Sequence, residues 1–219
     1  MIEEAIVEAR KIAHENRLEG KDLDELDELE DDEDDDFLER YRQKRMAELG
    51  ALQKKSVHGS VYPLSKPDYQ REVTEASSNG VVFVNLTSSS GGTNVESRVL
   101  SDLWKQAAQE YGDIKFCEMR ASQAIENYPE KNCPTILVYK NGDIVKQIVT
   151  LTTVGGVRIS LLDLDKILVE VGALPNNDMR VVKRRREAED AEEERLMAGK
   201  GIRSSKTTAK EDDDDDGWD

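Results

Sequence analysis

The hydrophobic positions change their period along the chain, and the changes mark the elements. Within residues 2–18, Ile2, Ala5, Ile6, Ala9 and Ala13 fall on one face at helical spacing. A stretch without apolar period follows. Apolar residues return in DFLERYRQKRMAELGALQ, where Phe37, Leu38, Tyr41, Arg45, Leu49 and Leu52 line one side of a predicted helix. Residues 34–36 are all Asp and sit at its N-terminus, where the helix dipole favours anions. Gly50 either ends this helix or is passed over.

Beyond residue 60 the pattern is that of a packed core. SKPD (65–68) is a capping sequence with Pro in the first turn, opening a helix that places Tyr69, Val73 and Ala76 together and stops at Asn79-Gly80. VVFVNL (81–86) is nearly all apolar, as in a strand buried on both faces. After the loop TSSSGGTN (87–94), Asn94 caps a helix that repeats Val95, Val99, Leu103, Trp104, Ala107 and Tyr111. IKFCEMRA (114–121) is the next strand, and Ser122 begins a short helix, SQAIENY. PTILVYKNGDIVKQIVTL gives two strands joined by Asn141-Gly142, a hairpin signal. Ser160 and Asp163 cap a last helix ending near Gly172, with Pro175 beyond.

Helices alternating with strands predict parallel pairing through right-handed crossovers, and the closing hairpin adds an antiparallel edge. The fold class is α/β, a small mixed sheet with helices on both faces.

Charge sets the boundaries of this core. Residues 22–36, DLDELDELEDDEDDD, hold twelve acidic side chains in fifteen and repel themselves. After Leu174 comes a basic cluster (Arg180, Lys183, Arg184, Arg185, Arg186), an acidic stretch and a terminal Asp block. The chain therefore divides into a helical, acidic N-terminal arm (1–60), a folded core (61–174) and a charged C-terminal tail (175–219), expected to be disordered. With 37 % apolar residues and a net charge of −16, part of the chain must stay solvated. That balance disfavours nucleic acid and anionic membrane and favours a partner with a basic surface. No apolar run approaches a membrane span, and the start MIEEAIVEAR lacks the pattern of a signal peptide.

The chemistry-bearing residues are few. Cys117 and Cys133 make no disulfide framework and are expected to be reduced thiols, and His14 and His58 are too few for a histidine metal site. No metal or cofactor is expected. Cys117 alternates with Phe116 as a core residue, and Cys133 reads as a packed cysteine.

The order helix, strand, helix, strand, helix, strand, strand, helix is that of the thioredoxin fold. NCPTILVYKNGDIV (132–145) resembles the thioredoxin segment that contains a cis-proline, and by that resemblance Pro134 is the cis residue. Thiol chemistry in that fold belongs in the loop after the first central strand. Residues 87–94 contain no cysteine, so neither an attacking thiolate nor a resolving thiol exists there, and no enzymatic activity is expected. The loop also lacks the Lys of a P-loop.

DFLERYRQKRMAEL (36–49), SVYPLSKPDYQREVTEAS (60–77) and YPEKNCPTILVYKNGDIV (128–145) resemble the phosducin-like family, in its chaperonin-linked branch. The resemblance implies a cytoplasmic co-chaperone that binds the chaperonin CCT, also called TRiC, and modulates the folding of actin, tubulin or other clients. It implies, as the alternative, a regulator of G-protein βγ subunits. The candidate partner-binding residues are Phe37, Leu38, Tyr41, Arg42, Arg45 and Leu49 on the arm helix, and Trp218 in the tail. The apolar stripe of that helix either docks on a partner, with cations beside it, or packs on the core. The acidic runs either meet basic surface or keep the chain soluble.

Overall fold

A computed structural model describes residues 35–89 and 94–201. The predicted helix around Tyr41 is α1, Asp35–Lys55, and it passes over Gly50. It leads to a two-residue strand β1, Tyr62–Pro63, that the hydrophobic pattern does not announce. The remaining strands are β2 (Val82–Thr87), β3 (Lys115–Arg120), β4 (Thr135–Lys140) and β5 (Asp143–Val149). The remaining helices are α2 (Val95–Glu110), α3 (Ala121–Ala124), α4 (Leu161–Glu170) and α5 (Met179–Gly201).

The sheet order is β1-β3-β2-β4-β5. β1 and β2 run parallel to β3, while β4 is antiparallel to β2 and β5 to β4. This is a thioredoxin-like mixed sheet, and the Cys133–Pro134 bond is cis, as the resemblance implies. Alternation along β2 sends Phe83 to one face and Val82 and Val84 to the other. The first face joins Phe116, Ile136, Val138 and Ile148 to residues of α2 and α4. There Trp104 meets Phe116 edge-on at 5.1 Å and donates its indole N–H to the Cys117 carbonyl at 3.0 Å. The second face carries Leu86, Cys117, Met119, Leu137 and Tyr139 under Val73.

Local signals written in the sequence are realised as hydrogen bonds. Asn94 accepts from the Ser97 amide at 2.9 Å and caps α2. Ser160 and Asp163 form a reciprocal capping box on α4. Asn141 and Gly142 both take positive φ, +55° and +89°, the pair a tight right-twisting hairpin needs. Ser77 holds that turn, accepting from the Asn141 amide through its carbonyl and from the Gly142 amide through its hydroxyl, each at 2.8 Å.

Two segments differ from the expectation. Where an α-helix is predicted after residue 65, the chain forms a π-helical turn, Gln70–Glu75, and a 3₁₀ turn, Ala76–Ser78. Val73 still reaches the sheet fully buried, with Tyr69 and Ala76 packed beside it, so the apolar spacing is satisfied by wider backbone geometry. The second difference is a correction. Residues 175–219 are expected to form a disordered tail, yet Met179–Gly201 is helical and its first turns belong to the core. Val181 is buried in the cluster under α2 and α4.

Two arginines one turn apart fix that helix. Arg180 pairs with Asp113 at 2.7 Å and Asp178 at 3.0 Å, and its guanidinium lies 4.6 Å from the Tyr111 ring centre. Arg184 pairs with Asp165 at 2.5 Å, donates to the Tyr111 hydroxyl at 2.9 Å and pairs with Glu110. Asp165 is 1 % exposed, so its charge depends on these donors. The terminal Asp block and Trp218 lie outside the described residues.

Candidate functional site

The site where this fold would carry thiol chemistry is the loop after β2. Its described part is held by a carboxylate. Glu130 accepts from the Ser88 hydroxyl at 2.6 Å and from the Ser89 amide at 3.0 Å, and the Ser89 and Ser122 hydroxyls share a hydrogen bond at 2.6 Å. The Asn94 side chain donates to the Cys133 carbonyl at 2.8 Å, tying the start of α2 to the cis-proline segment. Cys133 is the nearest thiol and is buried; burial and then the Glu130 charge push its pKa above the ordinary thiol value. Cys117 is raised further, to about 12, mainly by burial. Both cysteines are free, and neither is poised as a thiolate near neutral pH. Among the described residues no cluster of His, Cys, Asp or Glu is arranged to hold a metal ion, and no helix is long and apolar enough to cross a membrane.

The arm helix splits the predicted docking residues. Phe37 and Leu38 lie in the first turn of α1, but their side chains fall outside what is described. Tyr41 and Arg45 are buried, at 9 % and 6 % exposure, and stack with the guanidinium carbon 5.8 Å from the ring centre. Arg45 also pairs with Glu48 at 3.2 Å. Arg42 is half-buried. Leu49 is exposed, and Met46 beside it is more so, at 62 %. The helix therefore offers Met46 and Leu49 to solvent and keeps the Tyr41–Arg45 pair inside. Met46, near the predicted stripe rather than on it, is the apolar residue that periodicity undervalues.

The phosducin family model matches residues 4–197. The chain belongs to the phosducin family. Phosducin-like protein 2 of Saccharomyces cerevisiae is 44 % identical over 223 residues, covering 93 % of this chain and 77 % of that protein. The phosducin-like protein C2A9.09 of Schizosaccharomyces pombe is also 44 % identical, over 190 residues, covering 87 % of this chain and 80 % of its own length. Phosducin-like protein 3 of Mus musculus is 36 % identical, covering 63 % of this chain and 56 % of that protein. Among solved structures, spinach chloroplast thioredoxin f aligns at 18 % identity with a TM-score of 0.40, covering 55 % of this chain and 92 % of that one.

The phosducin match runs past Leu174 into α5, in step with the packing of that helix. Two features of this phosducin-family chain escape sequence reasoning. Glu130 takes the loop serines from 41 residues away in sequence, which no spacing rule reports. Arg180 and Arg184 were legible only as members of a basic cluster; their i, i+4 spacing around Val181 was the available sign of a helix face.

Proposed function

We infer that this phosducin-family protein is a cytoplasmic co-chaperone that binds the chaperonin CCT/TRiC and modulates the folding of actin, tubulin or other clients without redox chemistry. The observation that carries the reading is a thioredoxin-like sheet whose reactive loop is serine held on Glu130, with both thiols buried and protonated. Such a scaffold keeps a rigid surface and has no nucleophile for disulfide exchange. The arm helix supplies an apolar contact, Leu49 with Met46, flanked by the exposed Lys44 and the half-buried Arg42. Apolar anchors with cations beside them suit a groove with an acidic rim. Phe37, Leu38 and Trp218 complete the proposed contact set. Tyr41 and Arg45, both buried, stand behind this exposed contact rather than in it.

A second reading, regulation of G-protein βγ subunits, draws on the same family membership and uses the same arm. Binding of the purified chain to purified chaperonin and to purified Gβγ separates the two. Chaperonin binding that drops at least several-fold in Met46→Asp/Leu49→Asp, at unchanged melting temperature, is the expected result. Capture of Gβγ with no chaperonin bound moves the assignment to the second reading.

A further inference from the structure

α3 stops at Ala124, and beside it one face of the sheet lies open. The opening is a cleft of about 380 Å³ with Leu86 and Leu137 of the core on its lining. Tyr69 donates to the Tyr139 hydroxyl at 3.0 Å, and the two rings meet edge-on 6.0 Å apart along its wall. At the rim, Ile125 and Ile144 are 47 % and 49 % exposed. Among the described residues, Lys66 is the one charged side chain on the lining. A solvent-open apolar cleft with a single cation selects a ligand of definite type: one large apolar side chain, placed next to carboxylates.

The chain carries a segment of that composition. Residues 211–219, EDDDDDGWD, set one indole among seven carboxylates. We propose that the cleft between Tyr69, Tyr139, Ile125 and Ile144 is the seat of Trp218, with the flanking Asp residues facing Lys66. Reach and charge both permit it. The 18 residues after Gly201 span up to about 60 Å when extended. That exceeds the length of α5, about 35 Å, and a core of about 100 residues has a radius of gyration of only ~13 Å. An indole removes on the order of 200 Å² from water when buried, the largest gain any side chain offers such a cleft. Seated there, Trp218 joins the proposed chaperonin contact set only after it leaves the cleft, whereas Met46 and Leu49 stay exposed throughout. A partner segment needing the same cleft must first displace Trp218.

Tryptophan fluorescence of the full chain tests this, because Trp104 is fully buried and gives a constant background that Trp218→Phe subtracts. The expected result is a blue-shifted Trp218 emission that acrylamide quenches several-fold less than it quenches the free peptide EDDDDDGWD. Ile144→Glu and, separately, Lys66→Glu should return the quenching toward that of the free peptide. The Trp104 emission reports that each variant is folded, and Lys66, being exposed, provides the variant least able to disturb the core. Trp218 quenched in the wild-type chain as freely as in the peptide overturns the proposal. So does protection that survives both substitutions, which places the indole elsewhere. Protection that disappears on dilution also overturns it, in favour of docking onto a second copy.

Discussion

Asp165 shows how much of this fold is decided by single side chains. Its carboxylate is almost wholly removed from water and accepts from the Tyr111 hydroxyl and from Arg184, both at 2.5 Å. Burial, and then the bond to Asp165, push the Tyr111 phenol above its ordinary pKa, so it stays a donor. Arg184→Ala strands the buried anion and should cost about 3–5 kcal/mol in urea unfolding. Asp165→Asn added to that variant should recover part of the loss, since no charge is then left unpaired. His58 works in the opposite sense. Burial, with Lys115 next, holds its pKa below 6.5, while Asp113 opposes weakly. The unfolded chain therefore binds the proton first. Stability should be full above 6.5 and fall as the pH drops toward the folded value. Melting curves across that window should show the slope, and His58→Gln should flatten it.

Elements differ in how plainly they were written. The hairpin was legible because Asn141-Gly142 permits two successive positive φ values, and α4 because Ser160 and Asp163 cap each other. The segment after residue 65 was legible as a covering element but not in its pitch, because Val73 reaches the sheet from a π turn as well as from an α turn. α5 was hidden by composition. Its apolar content is low, so burial alone argues for solvation, and the compensation comes from acids on α2, α4 and the connecting loops. Such pairing is tertiary, and no local pattern encodes it. Chains ending at Leu174 and at Gly201 should thus differ. The first loses Val181 and both arginine anchors and should melt well below the second, as differential scanning calorimetry would show.

At the scale of the whole molecule, the lack of a cysteine in the loop after β2 was readable, and which side of the arm helix is covered was not. A cysteine is present or absent by inspection, and 87–94 has none. A helical stripe, in contrast, states which side is apolar without stating what covers it. Tyr41 and Arg45 share a stripe with Leu49, yet the first two are inside and the third is in water. The net charge of −16 acts over longer distances than any of these contacts. It should steer the protein to a basic partner surface, so raising salt from about 0.1 M to about 0.5 M should slow association more than it speeds dissociation. Stopped-flow mixing with chaperonin is the measurement.

The junction between arm and core is narrow. The His58 amide donates to the Gly112 carbonyl at 2.8 Å, and a Cβ built on Gly112 would lie 2.1 Å from the Ser56 hydroxyl and 3.2 Å from its Cβ. A methyl group at position 112 would turn the Ser56 hydroxyl aside and press on the Ser56 Cβ, just past the end of α1. The end of α1 thus meets the core where Ser56 and His58 close on Gly112, and the closeness of that approach depends on a residue with no side chain.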